Sequence, residues 1–186
     1  MKKKLYGSLA LAVAFVLGAT LVQAASASGP SAQDQSSPDR APVTLRAMGK
    51  AVQKVRVVSS VDTQTFATSI PTLLVGANTT IKVTAGARAF LDMRFAAESE
   101  CYNGVAGNWC VVEIRVDGTQ ANPASGDDFA FDSSDGTLGD YWESHAMEAW
   151  TKVGPGTHTV EVFVYRVGTA SFRLDDWTLT VDQSAA

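Results

Sequence analysis

The sequence is poor in the residue types on which most catalytic sites depend. Among its 186 residues it has two histidines and two cysteines, and it contains neither a G-x-S-x-G motif nor an H-E-x-x-H motif. The densest candidate set, Glu143, His145 and Glu148, lies in GDYWESHAMEAW at 139–150. On a strand the two glutamates point to opposite faces and cannot flank one glycosidic bond. We therefore expect a non-catalytic protein, with both histidines (His145 and His158) as ordinary strand residues. A secreted hydrolase whose acids come from different strands is the less favoured alternative.

Basic residues are also scarce. The chain has 15 Lys and Arg against 19 Asp and Glu, for a formal net charge of −4. Three of the lysines lie within residues 1–24, so removal of that segment would bring the formal charge to about −7. An acidic protein lacks the basic face that nucleic acids and anionic lipids require. We expect neither as a partner.

Long apolar runs are confined to the N-terminus. A charged start, Lys2–Lys4, precedes the apolar run Leu9–Val22, and small residues suitable for cleavage follow it. This order is typical of a secretory signal peptide, and the run is short for a permanent membrane span. We predict that residues 1–24 are a signal peptide and that the mature chain begins near Ala25 or Ser28. The product is then secreted, without stable membrane insertion after cleavage.

The segment that follows has no apolar periodicity. Residues 25–42, ASASGPSAQDQSSPDRAP, are rich in Ser, Ala and Pro. Such a segment cannot bury enough apolar surface to offset the entropy lost on ordering. We interpret it as a disordered linker, which leaves residues 43–186 as one domain.

Helical periodicity is missing from the mature chain, whereas the strand period of two recurs. Apolar residues alternate with polar or charged residues in several stretches bounded by Gly and Asp turns. The alternating apolar sets are Ala89, Leu91, Met93 and Phe95; Val112, Ile114 and Val116; and Val160, Val162 and Val164. Many short strands with such turns predict an all-β domain, a β-sandwich of the jelly-roll type.

The two cysteines, Cys101 and Cys110, can pair in only one way within the chain. In an exported protein they predict a disulfide, because two cysteines without a nearby histidine offer too few ligands for a structural metal. The loop between them, YNGVAGNW, carries Tyr102 and Trp109 beside the sulfurs. Trp109 either covers the disulfide or is exposed for binding.

Two adjacent carboxylates interrupt the terminal stretch FRLDDWTLTVD at 172–182. Apolar residues occupy even positions before Asp175 and Asp176, and odd positions from Trp177 onward. A β-bulge produces this change of phase, because it inserts one extra residue into a strand. The two aspartates either accept hydrogen bonds from the irregular backbone or point outward to a Ca²⁺ ion or a ligand hydroxyl.

A second acidic stretch is SGDDFAFDSSDG at 125–136. Its carboxylates suit Ca²⁺, a hard cation, although their spacing does not match an EF-hand loop. The alternative is a set of turns in which the side chains bond their own backbone. The candidate ligands are Asp127, Asp128, Asp132 and Asp135.

The closing stretch resembles a known group of domains. GPGTHTVEV followed by FRLDDWTLTV is similar to the last hairpin of small secreted bacterial jelly-roll domains and to the closing strands of several carbohydrate-binding modules. The order FAAESEC, WCVVEIRVDG, FAFDSS, WESHAMEAW and LDDWTLTV also resembles exported actinobacterial proteins of unknown function, over most of residues 60–182. The resemblance implies the architecture and export. It implies sugar binding only by analogy of fold.

Two functional hypotheses follow. The first is a module that binds a glycan, with Tyr102, Trp109 and Trp142 stacked on sugar rings and Asp175 or Asp176 as polar anchors. The second is a structural or protein-interaction component of the cell envelope, in which most aromatic residues belong to the core. Exposed aromatic residues on one face favour the first hypothesis. An exposed apolar patch favours the second.

Overall fold

The computed structural model of the protein describes residues 51–124, 129–136 and 141–186. The chain divides into two units, Met1–Thr44 and Leu45–Ala186, and every described residue belongs to the second unit. The predicted signal peptide at 1–24 and linker at 25–42 therefore lie outside the described residues. In the described ranges, no helix is long and apolar enough to cross a membrane.

Most of the described residues lie in β-strands, and there are ten strands in the described part of the chain. In chain order they are β1 (Val52–Ser60), β2 (Gln64–Phe66), β3 (Thr72–Val83), β4 (Ala89–Tyr102), β5 (Trp109–Val116), β6 (Thr119–Gln120), β7 (Ala130–Ser133), β8 (Glu143–Val153), β9 (Gly156–Val167) and β10 (Ser171–Ala185).

The strands form two sheets. The first sheet has the order β1-β10-β4-β8, with β2 paired to β10, and the second has the order β3-β9-β5, with β6 and β7 both paired to β5. If the short strands β2 and β6 are set aside, the first of the eight remaining strands pairs with the last, the second with the seventh, and so on inward. This is a long antiparallel hairpin rolled into two sheets, which is the jelly-roll arrangement. The predicted fold is confirmed.

The core lies between the sheets and consists of the alternating apolar sets identified in the sequence. In β4, for example, Leu91, Met93 and Phe95 have no exposed surface, while Asp92 and Arg94 are exposed on the outer face. The pleat of a strand sends successive side chains to opposite faces, so the period of two translates directly into burial.

The predicted β-bulge is present at Asp175 and Asp176. Asp175 pairs with Glu98 of β4 and Thr178 pairs with Ala96, so three steps along β10 oppose two along β4. Within the bulge, the backbone of Asp176 has a positive φ of 42°. Because the bulge resets the pleat, the apolar residues on both sides of it face the core; these are Phe172, Leu174, Trp177, Leu179 and Val181.

The predicted disulfide is also present, and it joins the two sheets. Cys101 lies near the end of β4 and Cys110 near the start of β5, with their Cα atoms 5.8 Å apart. Both side chains are buried in the core. The bridge therefore fixes one end of the sandwich.

Candidate functional site

A pocket opens at the end of the sandwich where β8 begins. Glu143, the first residue of β8, pairs with Ser99 of β4, so the last residues of β4 extend beyond the reach of β8. The space left between the end of β4 and β7 is a pocket of about 250 Å³. Its lining residues are Glu100, Cys101, Asp132, Ser133, Asp135, Tyr141 and Glu143. We call it the acidic pocket, because four of these side chains are carboxylates.

The carboxylates of the acidic pocket differ in their surroundings. Glu100 is almost fully buried and accepts a hydrogen bond of 2.9 Å from Arg173 Nη1, which balances its charge. Glu143 is 65% exposed at the mouth of the pocket. Carboxylates at such a mouth can accept hydrogen bonds from hydroxyl or ammonium groups, or ligate a cation.

A chain of hydrogen bonds runs beneath the pocket from β7 through β4 to β8. Ser99, which is fully buried, places Oγ 2.7 Å from Asp132 Oδ2 and 2.8 Å from His145 Nδ1. Asp132 Oδ1 accepts the backbone N–H of Ser133 at 2.6 Å. On the far side of the imidazole, His145 Nε2 lies 3.5 Å from Glu143 Oε2. The buried hydroxyl thus holds an aspartate of one sheet and a histidine of the other in fixed positions.

Sequence reasoning placed Glu143, His145 and Met147 on one face of a strand, and they do share the inner face of β8, with Met147 in the core. It did not identify Ser99 or Glu100 as neighbours of these residues. A signal for Ser99 exists, because it is a polar residue at an inward-facing position of the alternating run in β4. The partner of that hydroxyl is not visible in the sequence.

Two of the predicted aromatic residues lie together beside the pocket. Tyr102 and Trp142 both face the Arg173 guanidinium, whose Cζ lies 5.0 Å from the Tyr102 ring centroid and 5.8 Å from that of Trp142. Trp142 is 41% exposed, and its neighbour Tyr141 is 76% exposed and lines the acidic pocket. Since Arg173 also binds Glu100, the aromatic pair adjoins the pocket.

Trp109 lies elsewhere. Cys110 faces the core, so the preceding residue faces outward from the second sheet. There Trp109 lines a separate, open groove of about 600 Å³ that also includes Tyr165 and Arg166. Trp109 and Tyr102 therefore lie on different faces of the domain. Trp109 does not cover the disulfide either, because it is on the opposite side of β5 from the Cys110 sulfur.

The aspartates of the bulge have different environments. Asp175 accepts hydrogen bonds from Thr63 Oγ1 at 2.6 Å and from the backbone N–H of Asp176 at 2.9 Å. These contacts tie Asp175 to the irregular backbone, as the structural interpretation expects. Asp176 is exposed and lines another pocket, of about 240 Å³, together with Ser144 and His145.

The predicted calcium ligands are only partly described. Asp127 and Asp128 lie outside the described residues, whereas Asp132 and Asp135 both line the acidic pocket. The structure brings Asp132 to two residues that are distant in sequence. One ligand atom from each of Asp132, Glu143 and His145 lies within 4.8 Å of the others.

Another group of carboxylates lies on the outer face of the first sheet. Asp92 faces Asp182 directly across the β4–β10 pair, and Glu148 lies nearby on β8. Partial burial, followed by the charges of Glu148 and Asp182, raises the pKa of Asp92, against the opposing effects of the Met93 N–H and Arg94. Like charges on facing strands repel, so these carboxylates weaken this part of the sheet at neutral pH.

No protein-family model matches the chain, and no curated protein matches it. Among solved structures, it is similar to dimeric latent PorU from Porphyromonas gingivalis, with a TM-score of 0.43 and 9% sequence identity. The alignment covers 75% of this chain and 14% of PorU. A similarity of this degree bears on neither function nor site.

Proposed function

We propose that the protein is a secreted, non-catalytic binding protein that takes a carbohydrate in the acidic pocket. The observation that carries the proposal is the combination of carboxylates in the pocket with exposed aromatic rings, Tyr141 in its wall and Trp142 beside it. A sugar ring has an apolar C–H face and a rim of hydroxyls. An aromatic ring suits the first and carboxylates suit the second.

The charge of the pocket narrows the ligand class. Four carboxylates line the pocket, and Glu143 at its mouth is mostly exposed. A uronic acid or a sulfated sugar would bring further negative charge to the same space, which Coulomb repulsion disfavours. Neutral glycans, and amino sugars whose ammonium group can pair with a carboxylate, are the ligands we expect.

Export supports this proposal. The N-terminal sequence has the order of a signal peptide, and the chain carries a disulfide, which forms and persists in oxidising compartments. A protein released there meets the glycans of cell walls and of the surroundings.

The test is retention of the purified mature chain on insoluble neutral, amino and acidic polysaccharides. Retention on at least one of the first two kinds is expected. Trp142→Ala should weaken it roughly two- to twelvefold, because the loss of an aromatic contact costs about 0.5–1.5 kcal/mol. Its melting curve should change little, because exposed side chains contribute about 0.5 kcal/mol or less to stability.

Trp109→Ala is the matched control, since it removes a tryptophan from the groove of the other sheet. It should leave retention unchanged. Retention by no glycan, or equal losses from both substitutions, would overturn the proposal.

A second candidate function is supported by the edge strand β1. Val52, Val55 and Val57 are each more than half exposed, at 55%, 54% and 59%, on the edge of the first sheet. An exposed apolar edge strand is suited to a protein partner and fits a component of the cell envelope. Under this alternative, replacing Val55 and Val57 with Lys should release the protein from cells, whereas Trp142→Ala should not.

A further inference from the structure

We propose that Asp132, Glu143 and His145 bind a divalent transition-metal ion of the Zn²⁺ class. Each residue supplies one ligand atom, and these atoms already lie within 4.8 Å of one another. Asp132 belongs to β7 in the second sheet, while Glu143 and His145 belong to β8 in the first. The ion would therefore join the two sheets at the acidic pocket. This inference does not rest on carbohydrate binding.

The hydrogen bonds of Ser99 determine which nitrogen of His145 is available. An ionised carboxylate only accepts hydrogen bonds, so the Ser99 hydroxyl donates its single proton to Asp132. The hydroxyl can then accept from an Nδ1–H of His145, and in the tautomer that carries this proton the ring offers its lone pair on Nε2. A histidine that donates through one nitrogen and offers the other is the usual arrangement of a metal ligand.

The available nitrogen faces a second acceptor. His145 Nε2 lies 3.5 Å from Glu143 Oε2. A proton on Nε2 or a metal ion between the two atoms would pair them, and a metal ion is the occupant that we propose. The separation suits a metal ion, because two ligands bonded at about 2.1 Å in a tetrahedral site are about 3.4 Å apart.

The donor set identifies the kind of metal. One imidazole nitrogen with two carboxylates suits Zn²⁺ and its neighbours in the transition series, whereas Ca²⁺ takes six to eight oxygen ligands. Asp132, first considered as a calcium ligand within its local acidic stretch, thus acquires different partners through the fold. The exposure of Glu143 at the pocket mouth provides the entry path.

The experiment is calorimetric titration of the mature chain, purified without a histidine tag and stripped of metal, with Zn²⁺ alone. We expect one ion per chain and a rise in melting temperature on binding. His145→Gln should weaken binding at least a hundredfold. His158→Gln is the matched control, since it removes the only other histidine of the chain and should bind Zn²⁺ as the wild type does.

Glu143→Gln provides a second variant that keeps the fold, because this side chain is mostly exposed. It should weaken Zn²⁺ binding at least tenfold. Ca²⁺ titrated in place of Zn²⁺ should bind far more weakly. The proposal is overturned if the wild type binds no stoichiometric Zn²⁺ at micromolar concentration, if His145→Gln binds as the wild type does, or if Ca²⁺ binds more tightly than Zn²⁺.

Discussion

Ser99 Oγ lies 2.7 Å from Asp132 Oδ2, so a fully buried hydroxyl of β4 in one sheet is hydrogen-bonded to a carboxylate of β7 in the other. The same oxygen contacts His145 on β8. One side chain of β4 therefore joins β7 and β8, two strands that follow it much later in the chain, beneath the acidic pocket.

The first prediction concerns this hydroxyl. Ser99→Ala should lower the free energy of unfolding by about 1–3 kcal/mol, because it removes the buried partner of both Asp132 and His145. Urea denaturation measures the change. Ser144→Ala is a suitable control, since Ser144 is exposed on β8 beside His145 and its loss should cost little. A Ser99→Ala variant as stable as the control would contradict the role assigned to the hydroxyl.

The second prediction concerns the disulfide. Cys101 and Cys110 are nine residues apart, and closing a loop of this size stabilises the fold by about 2.5–3 kcal/mol in the chain-entropy model. Reductant should therefore lower the melting temperature of the wild type. A variant with both cysteines replaced by Ala should melt at a lower temperature that reductant does not change. Two titratable thiols in the folded, unreduced protein would exclude the bond.

The third prediction concerns pH. His158 Nδ1 lies 2.7 Å from Asp117 Oδ2, and this hydrogen bond raises the pKa of His158 above 6.5 despite partial burial. The same bond, with a second from the Thr159 N–H, lowers the pKa of Asp117 below 3.8. The contribution of His158 to the free energy of unfolding is complete below pH 6.5 and is lost as the pH rises through the pKa of His158 in the folded state. That of Asp117 is complete above pH 3.8 and is lost as the pH falls through its folded pKa.

The pair should thus stabilise the fold most between the two ordinary values, 3.8 and 6.5. Its contribution is expected to be below about 1 kcal/mol, because the Asp117 side chain is half exposed. His158→Gln should remove the decline in unfolding free energy above pH 6.5, measured by urea denaturation across pH. Asp117→Asn, which retains the turn residue without its charge, should do the same. If the unfolding free energy of either variant fell above pH 6.5 as steeply as that of the wild type, the pair would not be the cause of the decline.

The fourth prediction concerns the bulge. Asp176 has a φ of 42°, in the left-handed region that Asn tolerates and β-branched residues do not. Asp176→Val should therefore destabilise the domain by about 1–3 kcal/mol, whereas Asp176→Asn should be nearly neutral. Thermal unfolding of the two variants measures the difference. Equal melting temperatures would show that the backbone at this position differs from the one described.

Several features of the fold could be predicted because they depend on local alternation. The pleat of a strand assigns each side chain to one of two faces. The inward residues of β4 can therefore be recognised because they all have odd numbers, and the bulge at Asp175 and Asp176 because the apolar positions change there from even to odd numbers. The disulfide was predictable for a different reason, since the chain has only two cysteines and they allow only one intramolecular pairing.

The surroundings of the aromatic residues were not predictable in this way. Parity places Tyr102 and Trp109 on outer faces, because each adjoins an inward cysteine. Only the fold shows that Cys101 and Cys110 belong to different sheets, so that their neighbours face opposite directions. Tyr102, Trp109 and Trp142 therefore do not share one face, and only Tyr102 and Trp142 lie together.

Local patterns in the chain are enough to specify the class of fold, the inward phase of its strands, the bulge and the disulfide, since each depends on neighbouring residues or on a unique pairing. The candidate site, in contrast, depends on how the strands are arranged in space. Ser99, Asp132 and His145 meet because β4, β7 and β8 come together at one end of the sandwich. Strand order depends on pairing between distant segments, and no period within one segment carries that information.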